Sequence, residues 1–270
     1  MPEGDSLVNL ATRLRPVLVG ALLVRAAAAA AMAPATLVGL TVVSIETRGK
    51  HLLLHLSDTT TLHVHLGMTG RFFVDALDSP GLGPAPGAPQ VSLHLETQTH
   101  RVLGRTVPTL ERLTAARLLR HPHLASLGPD LLGERFDAAA AAARFQREPY
   151  LPLGEALLDQ RLACGIGNVY KSEVLFLEAL DPWRHVIDTQ PATLAAVLER
   201  ARGLMLRNLG PELRRTRRGL DADRYWVYER NGAPCRRCDT PIAMARQGDM
   251  GRSTYYCAAC QGVTPRRTIT

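Results

Sequence analysis

The chain has 270 residues, 46% of them hydrophobic and 21% charged, which suits a soluble globular protein of one large domain or two modest ones. No run of about 18 apolar residues is present to span a bilayer, and the opening Met1-Pro2-Glu3-Gly4-Asp5 is acidic where a secretory signal would be basic. Neither a membrane protein nor a secreted one is expected, and a cytoplasmic one is; the net charge of +7 points to a polyanionic partner.

Leu7, Leu10, Ala11, Leu14, Val17 and Leu18 recur at helical spacing and predict an amphipathic helix within residues 3–25. The alanine run Ala26–Ala31 reads as a low-complexity connection. From Thr41 to Val74 the period drops to two: Val43 and Ile45, then Leu52, Leu54 and Leu56, then Leu62, Val64 and Leu66, then Phe73. These positions predict strands joined by tight turns such as Arg48-Gly49 and Ser57-Asp58. Residues 78–90 are rich in proline and glycine and predict an exposed loop. Further strands are expected at Val91–Glu96 and near Val102. After about His121 the pattern is helical over Phe136–Arg147, Leu153–Gln160, Asn168–Ala179 and Thr193–Leu209. Beyond Asp221 the chain reads as short strands around four cysteines.

Those four, Cys235, Cys238, Cys257 and Cys260, form two Cys-x-x-Cys pairs separated by eighteen residues. In a cytoplasmic chain such pairs predict metal ligands rather than disulfides. Two knuckles complete an all-thiolate tetrahedral site that suits one zinc ion. Four cysteine ligands leave no open position, so the zinc is structural and the chemistry lies elsewhere. Arg236, Arg237, Arg246 and Arg252 lie in or between the knuckles and suit phosphate contact. Cys164 stands apart and reads as a small buried hydrophobe.

Gly165-Ile166-Gly167-Asn168 joins two helical stretches, with Asn168 placed to cap the second. A helix start of this kind attracts phosphate, and Lys171 adds charge just beyond. Glu173 on the same helix reads as a packing or helix-end residue. Pro2 follows an initiator methionine that is normally removed before so small a residue. It then carries a secondary α-amine, and α-amines titrate near about 7.7–8.0, low enough to act as a nucleophile. Glu3 could donate a proton beside it. Alone, a Pro-Glu start is commonplace.

In chain order come Pro2-Glu3-Gly4-Asp5, Arg48-Gly49-Lys50-His51-Leu52, His65-Leu66-Gly67-Met68, Leu127-Gly128-Pro129-Asp130, Asp159-Gln160 through Asn168-Val169-Tyr170, and the four-cysteine finger. That order resembles the formamidopyrimidine-DNA glycosylase/endonuclease VIII family along essentially the whole chain. The resemblance implies an α+β multidomain fold: an N-terminal β-sandwich with flanking helices (1–120), a helix–two-turn–helix domain (121–225) and a β-hairpin zinc finger (226–270). It implies damaged DNA as partner, a monomer, and no diffusible cofactor beyond zinc. By position it makes Pro2 the Schiff-base nucleophile and Glu3 the general acid. Lys50 would serve elimination and contact phosphate, and Arg252 would serve δ-elimination and phosphate binding. Asn168 and His65 would hold the DNA backbone, with Lys171 beside them, and Met68 would fill the gap left by an everted base. His65 alternates with His63 and His55 on expected strands, so a packed histidine is an equal reading.

The stretch Gly210–Asp221 is short and basic and lacks the lid of the formamidopyrimidine branch, so oxidised pyrimidines are the expected bases. Two alternatives stay open: an 8-oxoguanine/formamidopyrimidine glycosylase, and a catalytically weak paralogue that binds damaged DNA.

Overall fold

The computed structural model describes residues 2–28, 37–79, 83–85, 88–219 and 223–263. The chain divides into two compact units, residues 1–126 and 127–270. Among the described residues no helix is long and apolar enough to cross a membrane.

The first unit opens with helix α1, Gly4–Leu18, whose Leu7, Leu10, Ala11, Leu14 and Leu18 are buried. Strands follow at Arg25–Ala28 (β1), Val42–Arg48 (β2), His51–Leu56 (β3), Thr61–His65 (β4), Arg71–Ala76 (β5), Val91–Glu96 (β6), His100–Arg105 (β7) and Thr109–Leu113 (β8). They form two antiparallel sheets, β1-β6-β7-β5 and β2-β3-β4-β8. The two-residue period sends Ile45, Leu52, Leu54, Leu62 and Val64 of one sheet and Leu93, Leu95 and Val102 of the other into one core. The leucines of α1 share that core, and each stabilises the unit by about 1.5–3 kcal/mol relative to exposure.

Ala26–Ala28 are not a connection: they pair with Leu95–Leu93 as an edge strand, because cross-strand hydrogen bonding outweighs alanine's helix preference. The remainder of the run lies outside the described residues, as does part of the 78–90 loop. The strand Thr109–Leu113 was not expected, since Glu111 and Arg112 hide its alternation. Short helices α2 (Ala115–Leu119) and α3 (Pro122–Ala125) close the unit.

The second unit contains α4 (Ala138–Phe145), α5 (Leu153–Ala156), α6 (Asn168–Leu177) and α7 (Pro191–Arg207) around a core of Phe145, Leu157, Tyr170, Val174, Leu198 and Met205. A hairpin, β9 (Ala243–Gln247) with β10 (Arg252–Tyr256), leads into α8 (Ala258–Gln261). Phe176 of α6 packs with Val227, Cys235, Ile242 and Cys257, so the cysteine-bearing module shares its core with the helices.

Candidate functional site

In the first unit, α1 lies along β2, and the Arg15 guanidinium donates to the Ile45 carbonyl at 3.2 Å. Beyond this contact α1 runs back to Glu3 while the strand runs on to Lys50. Twelve helical residues span ~18 Å and five extended residues ~16 Å, so Glu3 and the Gly49-Lys50 turn reach the same end of the sheet. Register adds the rest: His51 pairs with His65, which places His65, Gly67 and Met68 at that end too. Lys50 lies close to His65, Met68 follows three residues on, and Pro2 and Glu3 stand at the start of α1. Glu3 has no exposed surface, and its N–H donates to Ser6 Oγ at 3.3 Å at the start of α1. Pro2 sits just before the start of that helix. His65 Nδ1 accepts from the Gly67 N–H at 3.2 Å, and burial, then the nearby Lys50 cation, lower its pKa. Met68 is 64% exposed.

The outer face of the same sheet carries residues that the sequence analysis did not assign. Opposite the leucines point His51, His63 and, across from His63, Glu111. His63 Nε2 lies 2.8 Å from His51 Nδ1, and Glu111 Oε2 lies 3.0 Å from both His63 Nδ1 and His121 Nε2. His63, Glu111 and His121 are close enough to hold a metal ion, yet their protons are already spoken for. The Leu124 N–H donates to His121 Nδ1 at 3.3 Å, so Nε2 carries the ring proton toward Glu111. Glu111 accepts a second hydrogen bond, from His63 Nδ1–H, leaving His63 Nε2 to accept from His51 Nδ1–H. The set is a closed hydrogen-bond chain. Burial, then His65 and His63, lower the His51 pKa to about 3. The signal available in the sequence was the i, i+2 spacing of His63 and His65.

In the second unit, Gly165 takes φ +111° at the turn into α6, and Gln160 braces it by accepting from the Gly165 N–H at 3.0 Å and donating to the Ile166 carbonyl at 3.1 Å. The helix cap is Gly167, and Asn168 is the first helical residue. The Asn168 amide donates to the Ser253 carbonyl at 2.6 Å and to Ser253 Oγ at 2.8 Å, so it holds the hairpin instead of capping its helix. Lys171 is wholly buried. Its Nζ donates to the Ser253 carbonyl at 3.0 Å and Thr254 Oγ1 at 2.7 Å, which turns the ammonium inward, away from any surface phosphate. Arg252 begins β10, half-buried, opposite Gln247.

Glu173, also wholly buried, accepts the N–H groups of Trp226, Val227 and Tyr228 at 2.8–2.9 Å and the Thr216 hydroxyl. It has the packing role expected of it. Burial pushes its carboxyl up, and those hydrogen bonds oppose the rise. Cys164 is buried, as expected.

The sulfurs of Cys235, Cys238, Cys257 and Cys260 all lie within 4.8 Å of one another. Cys238 Sγ is 3.4 Å from Cys257 and Cys260, and Cys235 Sγ is 3.8 Å from Cys260. A tetrahedral ion with bonds of about 2.3 Å requires sulfur–sulfur edges of about 3.8 Å, so the donor set fits one structural zinc. Burial and the neighbouring thiols push Cys257 and Cys260 up, the crowding that a bound dication relieves by replacing protons.

Residues 1–104 match the formamidopyrimidine-DNA glycosylase N-terminal domain, residues 127–213 the formamidopyrimidine-DNA glycosylase H2TH domain, and residues 232–263 the zinc finger found in FPG and IleRS. The chain is 40% identical to a probable endonuclease 8 2 of Streptomyces coelicolor, over 98% of this chain and 96% of that one. It is 35% identical to the DNA-(apurinic or apyrimidinic site) lyase Nei2 of Mycolicibacterium smegmatis, over 97% and 99%. The crystal structure of the MutM (Fpg) protein from Thermus thermophilus superposes with a TM-score of 0.78 at 30% identity, covering 98% of this chain and all of that one. A complex between Lactococcus lactis Fpg and an abasic site containing DNA shares the fold, with a TM-score of 0.80 at 22% identity over 96% and 99% of the two chains.

Proposed function

The chain belongs to the formamidopyrimidine-DNA glycosylase/endonuclease 8 family, and from that premise we propose that it is a bifunctional DNA glycosylase and abasic-site lyase of base-excision repair. The observation that carries this reading is the match of residues 1–104, 127–213 and 232–263 to the three domains of this family, in a chain whose first unit holds Glu3 at the start of α1 and Lys50 beside His65. Once Met1 is removed, the Pro2 amine attacks C1′ of an everted damaged nucleoside. Eversion is needed because C1′ is inaccessible within the stack. Glu3 protonates the sugar ring oxygen, the base departs, and an iminium links Pro2 to C1′. The iminium acidifies C2′–H; its loss expels the 3′ phosphate, and a second elimination expels the 5′ phosphate. Lys50 and Arg252 serve these eliminations and hold phosphates, His65 contacts a backbone phosphate, and Met68 fills the vacated stack, while Asn168, its amide committed to Ser253, holds the hairpin. Lys171 acts by orienting the hairpin. Zinc holds the finger and takes no part in bond breaking.

The endonuclease 8 relatives support oxidised pyrimidines as the bases removed. The segment between α7 and the finger agrees: Arg214 lies over Tyr170, Arg217 lies over Trp226, and Thr216 is bonded to Glu173. Residues 214–217 are thus tied down rather than built as a purine lid. Every proposed group is on one chain, so a monomer suffices, and chromosomal DNA as substrate implies a cytoplasmic, nucleoid-associated protein.

The test is borohydride trapping on abasic duplex DNA. A covalent adduct mapping to Pro2, lost when the N-terminus is acetylated, is expected. Undiminished trapping with a blocked N-terminus would move the nucleophile to a lysine and overturn the assignment.

A further inference from the structure

We propose that Lys171 is a positioning residue that sets the geometry of Arg252 through a buried hydrogen-bond chain; this rests on the role given to Arg252 above. Lys171 and Asn168 stand three residues apart on one face of α6, and both are buried. Together with Ser172 they take hold of consecutive residues of β10. Asn168 and Lys171 both donate to the Ser253 carbonyl, Lys171 also reaches Thr254, and Ser172 Oγ accepts the Tyr255 N–H at 3.3 Å.

The chain then crosses the hairpin. Thr254 Oγ1 donates to Gln247 Oε1 at 2.8 Å, and Gln247 Nε2 donates to the Pro182 carbonyl at 2.9 Å. Gln247 is the residue paired with Arg252. Lys171, Thr254 and Gln247 are 0%, 0% and 5% exposed. The brace from α6 therefore ends on the rung of the hairpin that carries Arg252, and it fixes both strands there.

A buried ammonium is costly unless fully hydrogen-bonded. An apolar side chain of similar volume would fill the space at no such cost. What the ammonium adds is direction. One atom donates to a backbone carbonyl and to the next residue's hydroxyl, so β10 cannot slide or rotate without stranding a charge. A half-buried phosphate-binding arginine gains from such support, because its own backbone is then held in place before DNA arrives.

The experiment is a double-mutant cycle on the zinc-loaded full chain, with Lys171→Met, Arg252→Ala and both together. Binding to a duplex holding a stable abasic analogue is measured across a salt series, and the ratio of δ- to β-elimination product is measured on abasic DNA. If Lys171 acts through Arg252, Lys171→Met lowers the δ:β ratio and flattens the slope of log Kd against log salt by about one, as loss of one phosphate contact does. Adding Arg252→Ala then costs no more than about twofold further, because coupled residues are non-additive. Zinc stays at one per chain. Should Lys171→Met fail to fold, Thr254→Val cuts the same chain with the lysine in place and is expected to give the same phenotype, and Thr254→Ser to restore it. A defective Arg252→Ala beside normal Lys171→Met and Thr254→Val proteins overturns the inference, as do fully additive losses. A silent Arg252→Ala removes the role of Arg252 itself, and the inference falls with it.

Discussion

Glu173 shows how one side chain can carry a segment of structure. Its two oxygens accept three consecutive backbone N–H groups, Trp226 to Tyr228, which lie outside any helix or strand. Glu173→Ala strands these donors in a dry interior, at about 1–3 kcal/mol for each. The expected result is a large loss of stability in the second unit, read by urea unfolding, with Glu173→Gln intermediate because one acceptor oxygen survives. Wild-type stability in Glu173→Ala would mean that the 226–228 segment is held by something else. At the opposite end of the chemistry, Glu3→Gln is expected to lose base excision far more than cleavage of a preformed abasic site. An abasic sugar opens spontaneously and needs the proton donor less. Equal loss on both substrates, in single-turnover assays, would remove Glu3 from the base-release step.

At the scale of elements, the outer face of the β2-β3-β4-β8 sheet predicts a pH dependence. His51 has a folded-state pKa of about 3, below the value of about 6.5 in an unfolded chain. A depressed histidine contributes stability that is complete above the unfolded value and is lost as pH falls toward the folded one. Glu111, lowered by its bond to His63, acts in the same sense at more acid pH. The groups facing His51 are His63, His65, His121 and His123. The denaturation midpoint of the first unit should fall between about pH 6.5 and 4.5, and the fall should be shallower in His51→Phe. Identical profiles for the two proteins would show that His51 does not govern it. The finger supplies a second element-level expectation. Its ligands all lie within residues 235–260, so chelation should weaken DNA binding while the first unit stays folded by circular dichroism. Full affinity after confirmed zinc loss would contradict a finger that grips DNA.

At the scale of the whole molecule, the open choice is between the two branches of the family. The relatives named endonuclease 8 and the tied-down 214–217 segment favour oxidised pyrimidines. Single-turnover excision on matched duplexes should release thymine glycol opposite adenine faster than 8-oxoguanine opposite cytosine. The reverse order would place the chain with the formamidopyrimidine branch. Binding should also weaken steeply with salt, as expected of a chain with net charge +7 that neutralises several phosphates.

The sequence alone determined whatever is written in local spacing. Period-two leucines specified the strands from Val42 to His65 because each face of a strand meets one environment, and helical spacing specified α1, α6 and α7. Paired Cys-x-x-Cys motifs specified the zinc site because metal geometry demands that spacing. Tertiary structure alone decided where polar side chains spend their hydrogen bonds. Lys171 looked like a surface cation and Asn168 like a cap, yet both point at Ser253, more than eighty residues away along the chain. The His51–His63–Glu111 chain joins three strands, and β1 exists because β6 supplies its partner. Such bonds depend on which distant backbone arrives next to a side chain, and no local pattern encodes that. Packing of the core brings it there.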